Sequence, residues 1–117
     1  MSYAFGENIT KNEPVRRIPP MNGKFGIEYR KNNFFIRPEV WFASQQTRLA
    51  QGDKDDIRIG KEGTKGWIIN NIFSGFERKN YAINLSIQNI NNADYRTHGS
   101  GINGIGRSLW LTLSGNI

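Results

Sequence analysis

Cysteine is absent from the 117 residues, which excludes disulfide frameworks, thiolate metal sites and cysteine nucleophiles together. The absence leaves the compartment open, since a cysteine-free chain suits reducing and oxidising surroundings alike. Histidine occurs once, as His98, so the chain cannot build a multi-histidine metal centre. No apolar run approaches the roughly 18 residues that a spanning helix requires. No window carries a helical apolar stripe either. The opening, MSYAFGENITKNEP, lacks the apolar stretch of a signal peptide. Disorder is excluded by composition, with 37% hydrophobic, 12% aromatic and 22% charged residues. The length admits one domain.

The formal net charge is +6, from 16 Lys and Arg against 10 Asp and Glu. A basic balance directs attention to nucleic acid or an anionic membrane surface. The cations are spread thinly, however. The densest pairs are Arg16-Arg17 and Arg78-Lys79, and no block of five or more occurs.

The dominant signal is alternation with period two, the mark of a half-buried strand. Tyr81, Ile83, Leu85 and Ile87 fall on one face, with Ala82, Asn84, Ser86 and Gln88 on the other. Leu109, Leu111 and Leu113 alternate with Trp110, Thr112 and Ser114, and Gly115 and Ile117 continue the leucine face. Phe25, Ile27 and Tyr29 alternate with Lys24, Gly26, Glu28 and Arg30. Phe34, Ile36, Val40 and Phe42 oppose Arg37, Glu39 and Trp41. Pro38 falls on that apolar face and removes a ladder donor, so pairing there should be irregular. GWIINNIFSGF, residues 66–76, is apolar on both faces but rich in β-branched and aromatic residues, which favours a strand.

The strands are expected at 22–30, 34–43, 66–76, 80–90 and 107–115, after the tail of an earlier one. Residues 31–33 and 77–80 read as tight polar turns, and 6–21, 44–65 and 91–106 as long polar loops. An antiparallel up-and-down meander with short turns at one end and long loops at the other is the layout of a transmembrane β-barrel. Strands of about ten residues suit a tilted bilayer crossing. Lys24, Glu28, Arg30, Arg37, Glu39, Asn84 and Gln88 fit a wet lumen, where cross-strand ion pairs can form. Tyr29, Phe34, Phe42, Trp67, Phe76 and Tyr81 sit near strand ends, as interfacial girdles do. A soluble antiparallel sandwich or small barrel also alternates. Such a soluble basic β-domain would bury the apolar rows in a dry core and bind nucleic acid through surface aromatics.

Three loop segments resemble a known family. VRRIPP at 15–20 followed by NGKFGIEYR resembles the stretch after an extracellular loop in TonB-dependent outer-membrane receptors. QQTRLAQGDKDDIRI at 45–59 with GTKGW at 63–67 looks like that family's next long loop and return strand. IQNINNADYRTHGSGINGIGR at 87–107 is similar to its late-barrel run, with Asn89, Tyr95, Arg96, His98, Gly99, Ser100, Gly101, Asn103, Gly106 and Arg107 in place. The resemblance extends from about Tyr3 to Leu113. It implies that residues 1–117 form a C-terminal portion of a receptor barrel, the last five to six strands, without the plug domain, the energy-coupling box and most of a barrel of roughly 22 strands. The family usually ends in an aromatic residue, where this chain has Ile117.

The resemblance further implies residence in the bacterial outer membrane and uptake of an iron chelate (a siderophore) or a similar scarce nutrient. Its partners would be membrane lipid, the rest of the barrel and plug, the TonB complex through the missing N-terminal part, and a small-molecule metal chelate; nucleic acid would not be one. Loops 6–21, 44–65 and 91–106 would be extracellular. Their ligand-binding candidates are Arg48, Asp53, Arg58, Tyr95, Arg96 and His98, the basic side chains suiting an anionic chelate. No catalytic set stands out, and no enzyme, metal site or cofactor is expected. His98 has no partner ligands in sequence. GDKDD, residues 52–56, lacks the bidentate Glu of a Ca²⁺ loop and reads as a solvated loop. The glycines at 99, 101, 104 and 106 are followed by a strand, not the helix of a phosphate cradle.

Overall fold

The computed structural model describes residues 1–115, so the expectation for Ile117 lies outside the described residues. The strands are β1 (Glu7–Asn8), β2 (Glu13–Pro14), β3 (Asn22–Gly26), β4 (Tyr29–Lys31), β5 (Phe34–Ala43), β6 (Trp67–Arg78), β7 (Tyr81–Gln88) and β8 (Ser108–Gly115). One helical turn, α1 (Gln51–Lys54), lies between β5 and β6. Among the described residues, no helix is long and apolar enough to cross a membrane. β1 and β2 form their own hairpin, and the larger sheet runs β3-β5-β6-β7-β8, with β4 also on β5. The fold is all-β and antiparallel, and the sheet is an open meander without barrel closure among the described residues. The expected earlier strand is a single bridge, Ser2 to Asn22.

Contacts divide the chain into two compact units. One holds Met1–Gly23, Phe42–Ile68 and Asp94–Gly104; the other holds Lys24–Trp41, Ile69–Ala93 and Ile105 onward.

In the second unit the strand expected at 22–30 is split at Ile27 and Glu28. Pro38 explains the break. Ile27 N–H donates to the Pro38 carbonyl at 3.2 Å, but proline has no N–H to return. β7 stops at Gln88, two residues early, because Asn89 turns into the left-handed region at φ 51°. The tight turn expected after β4 bends at Asn32, also left-handed at φ 53°.

Register aligns the faces across three strands. Ile72 pairs Ile87, Ser74 pairs Leu85 and Phe76 pairs Ile83. Those residues in turn pair Leu109, Leu111 and Leu113. This row is uncovered, with Leu109, Leu111 and Leu113 68%, 63% and 69% exposed and Tyr81, Ile83 and Leu85 exposed beside them. A soluble sandwich would have buried it. Asn84, Ser86 and Gln88 on the opposite face are half-buried, and Thr112 is exposed. Tertiary pairing resolves the ambiguous β6: Ile72 and Phe76 join the apolar row, whereas Ile69 and Asn71 are buried on the other face.

That other face carries charge. Arg37 pairs Glu28 at 3.2 Å and lies 2.7 Å from Glu39, while Arg30 reaches Glu28 at 3.1 Å and Glu77 at 3.2 Å. Lys24, expected in an ion pair, instead lies over the Trp41 ring, 5.8 Å from its centre. Trp41 stacks on Phe73 at 6.3 Å.

Candidate functional site

The first unit is built from the long loops. Gln46 and Thr64 exchange both backbone hydrogen bonds at 2.9 Å, closing the base of the 44–66 loop. Within it, Asp53 is 1% exposed. Its carboxylate accepts from the Arg17 backbone N–H at 3.1 and 3.2 Å and faces Arg16 Nε at 3.5 Å. These bonds hold Arg17 at φ 58°, a conformation unfavourable for a long side chain. The GDKDD run is therefore anchored, not solvated: a buried carboxylate is tolerable here because cations and an amide offset its desolvation. Asp56, 6% exposed at its side chain, binds Arg58 through Nε and Nη2 at 2.8 and 2.6 Å and Arg17 at 3.2 Å. The Arg58 side chain, then the Arg58 backbone N–H, hold the Asp56 carboxyl well below the usual carboxylate range, while burial opposes them.

The 94–104 segment of the same unit folds around Tyr95. Gly104 N–H donates to the Tyr95 carbonyl at 2.7 Å. The Tyr95 ring lies against Gly104 so closely that a Cβ there would sit 2.1 Å from it. Its other contact is Trp67, with ring centres 4.8 Å apart. Arg96 Nε donates to Asn103 Oδ1 and Asn103 Nδ2 donates to Asp94 Oδ1, both at 2.8 Å. His98 Nδ1 lies 2.9 Å from Thr64 Oγ1, tying this segment to the 44–66 loop.

These groups bound a cleft of about 310 Å³, lined among others by Arg58, Lys65, Trp67, Asp94, Tyr95, Arg96 and Asn103. Three cations face one carboxylate, next to a pair of aromatic rings tilted 48° to each other. Such a lining suits a planar or anionic ligand.

Of the six sequence candidates, the cleft gathers Arg58, Tyr95 and Arg96. His98 stands beside it through Thr64. Arg48 lies elsewhere, over the Phe5 ring at 4.1 Å and 3.7 Å from Glu7. Asp53 is interior, its oxygens already engaged. Sequence reasoning passed over Trp67, Lys65 and Asp94 as cleft residues, and Asp56 as the hub of Arg16, Arg17 and Arg58. The juxtaposition of Arg16-Arg17 with the acidic GDKDD run was the available signal for that hub. Among the described residues, no three His, Asp or Glu side chains come together in a way that could hold a metal ion.

His98 makes the loop pairing sensitive to acid. Burial lowers its pKa from the ordinary 6.5, opposed by the Asp53 charge. Its Nε2 is buried with no hydrogen-bond partner among the described residues. Protonating both ring nitrogens would leave an N–H at Nε2 with no acceptor among the described residues. A folded pKa below the unfolded value means stability that is full above about 6.5 and falls as pH drops through the folded value. Amide exchange at Thr64 and Ser100, corrected for intrinsic rate, should therefore quicken between pH 7 and 5. In His98→Gln that pH dependence should disappear.

An open antiparallel meander, apolar on one face and polar and charged on the other, is the wall of a β-barrel in architecture. No protein-family model matches the chain, and no curated protein matches it in sequence. Among solved structures, the chain is similar to the copper transporter OprC, with a TM-score of 0.80 over 95% of this chain at 16% identity. The chain spans 19% of that protein's length. At this identity the likeness establishes the fold.

Proposed function

We propose that the chain is a C-terminal portion of the barrel of a TonB-dependent outer-membrane receptor, acting in uptake of an anionic metal chelate of the siderophore class. The carrying observation is the uncovered apolar row from Ile72 to Leu113, registered across β6, β7 and β8. Lipid on that face and a wet lumen on the other account for both faces at once. The cleft then belongs to the extracellular side, where Arg58, Lys65 and Arg96 attract the chelate and Trp67 and Tyr95 stack on its rings. The remaining barrel, the plug and the TonB complex are the partners this reading requires.

The structural likeness raises copper as an alternative cargo. Copper(I) favours thiolate and thioether ligands, and copper(II) favours imidazole. This chain has no cysteine, two methionines and one histidine, and His98 is committed to Thr64. The cleft chemistry here favours a chelate over a bare ion.

Two measurements test the proposal. The chain should require detergent to stay in solution; a monodisperse monomer in detergent-free buffer would overturn the membrane reading. In detergent, a ferric catecholate chelate should quench tryptophan fluorescence, and Arg58→Gln with Arg96→Gln should weaken that binding about tenfold, as loss of charge-assisted hydrogen bonds does. Equal binding by the double variant, or tighter binding of copper(II) sulfate than of the chelate, would remove the chelate assignment.

A further inference from the structure

The turn end of the second unit carries charge of a different kind from its polar face. Lys31 pairs with Phe34, and Arg78 pairs with Tyr81. By strand alternation both cations project from the apolar face, not the polar one. They are the only charged residues on that face of β4 to β8 among the described residues, and both stand at its last position before a turn. Next to them in the rows are Tyr29, Phe34, Phe76 and Tyr81, all exposed, with the Phe76 and Tyr81 rings 6.1 Å apart.

The two turns lie side by side. Glu77 N–H donates to the Asn33 carbonyl at 2.8 Å, and Asn33 Nδ2 donates back to the Glu77 carbonyl. Lys79 adds a third cation at the second turn. Glu77, the nearby carboxylate, is engaged by Arg30. Among the described residues, Lys31, Arg78 and Lys79 make no ion pair. A small cleft of about 120 Å³ opens there, lined by Arg78 to Ala82 with Ser114 and Gly115. Along the strands the order is therefore apolar, then aromatic, then cationic. That order matches hydrocarbon, interface and phosphate in one leaflet of a bilayer.

We propose that Lys31, Arg78 and Lys79 form a docking site for the phosphate headgroups of anionic phospholipid, with Tyr81 and Phe76 seated at the acyl boundary. The inference rests on the membrane reading above. It goes beyond that reading by assigning the headgroup chemistry of the leaflet at the turn end. Snorkelling cations at the end of an apolar row gain a phosphate partner without entering hydrocarbon.

The test is flotation of the full chain, diluted from detergent, with vesicles of phosphatidylcholine alone or with a minority of phosphatidylglycerol. The wild-type chain should enter both and prefer the anionic vesicles. Each basic residue near an anionic surface is worth about fivefold in partitioning. Lys31→Gln, Arg78→Gln and Lys79→Gln together should therefore cut the preference roughly a hundredfold while entry into phosphatidylcholine persists. A charge-matched control, Lys11→Gln, Lys54→Gln and Lys61→Gln, should keep most of the preference. If both triple variants lose it equally, net charge and not this site is responsible, and the proposal falls. If inorganic phosphate at millimolar concentration abolishes the preference, the site takes a free anion and the lipid assignment falls. Failure to float with either vesicle overturns the membrane reading itself; floating with both without preference overturns only the headgroup site.

Discussion

Replacing Asn89 with leucine is expected to remove about 4 kcal/mol from the second unit, from three orphaned hydrogen bonds and one strained backbone. Asn89 is 1% exposed. Its Nδ2 donates to the carbonyls of Ala93 and Ile105 at 2.8 and 3.0 Å, and its Oδ1 accepts from Ala93 N–H at 2.8 Å. Its backbone N–H donates to Asn71 Oδ1 at 2.9 Å. Leucine would fill the space yet leave those backbone groups without partners, and it tolerates φ 51° poorly. The check is a denaturant titration in detergent, read by sheet circular dichroism. Asn89→Asp keeps the acceptor but turns a carboxylate oxygen toward the Ala93 and Ile105 carbonyls, with no cation among the described residues to offset it, so it should lose at least as much. An Asn89→Leu chain with unshifted midpoint would show that the side-chain bonds are dispensable.

The second large effect is expected at Gly63. Its φ is +96°, and a Cβ there would sit 1.9 Å from the Gln46 carbonyl oxygen. That oxygen accepts Thr64 N–H in the bridge closing the 44–66 loop. Alanine meets backbone on one side and an unfavourable dihedral on the other, so relaxation must open the bridge. The expected cost is about 3 kcal/mol, combining lost hydrogen bonds with strain. Because Thr64 holds His98 and Lys65 lines the cleft, chelate binding should fall with it. Limited proteolysis should cut Gly63→Ala between 44 and 66 while sheet dichroism in detergent stays unchanged. Protection equal to wild type would mean that the loop closes by other contacts.

Much of the fold was legible in sequence because side-chain direction in a strand repeats every two residues. Tyr81 to Ile87 and Leu109 to Leu113 declare their faces locally, and the polar turns at 31–33 and 77–80 declare the strand order. Pro38 even marked where pairing would fail. Residues 66–76 were opaque, since periodicity says nothing about which apolar face meets a partner; register against β7 settles it. The candidate site was half legible. Arg58 stands out in the polar 44–65 loop, as Tyr95 and Arg96 do in the glycine-rich 91–106 loop, and one cleft is lined by all three.

What the sequence by itself determined is the antiparallel meander and its two-faced character, both consequences of period-two patterning. What only tertiary structure decided is which loop residues are structural. Asp53 and the Arg17 amide are 36 residues apart in sequence, and Thr64 and His98 are 34 apart. No local pattern encodes such contacts. They arise because a buried charge or a left-handed backbone must find a partner wherever the folded chain brings one, and that requirement turned Asp53 from a ligand candidate into an anchor.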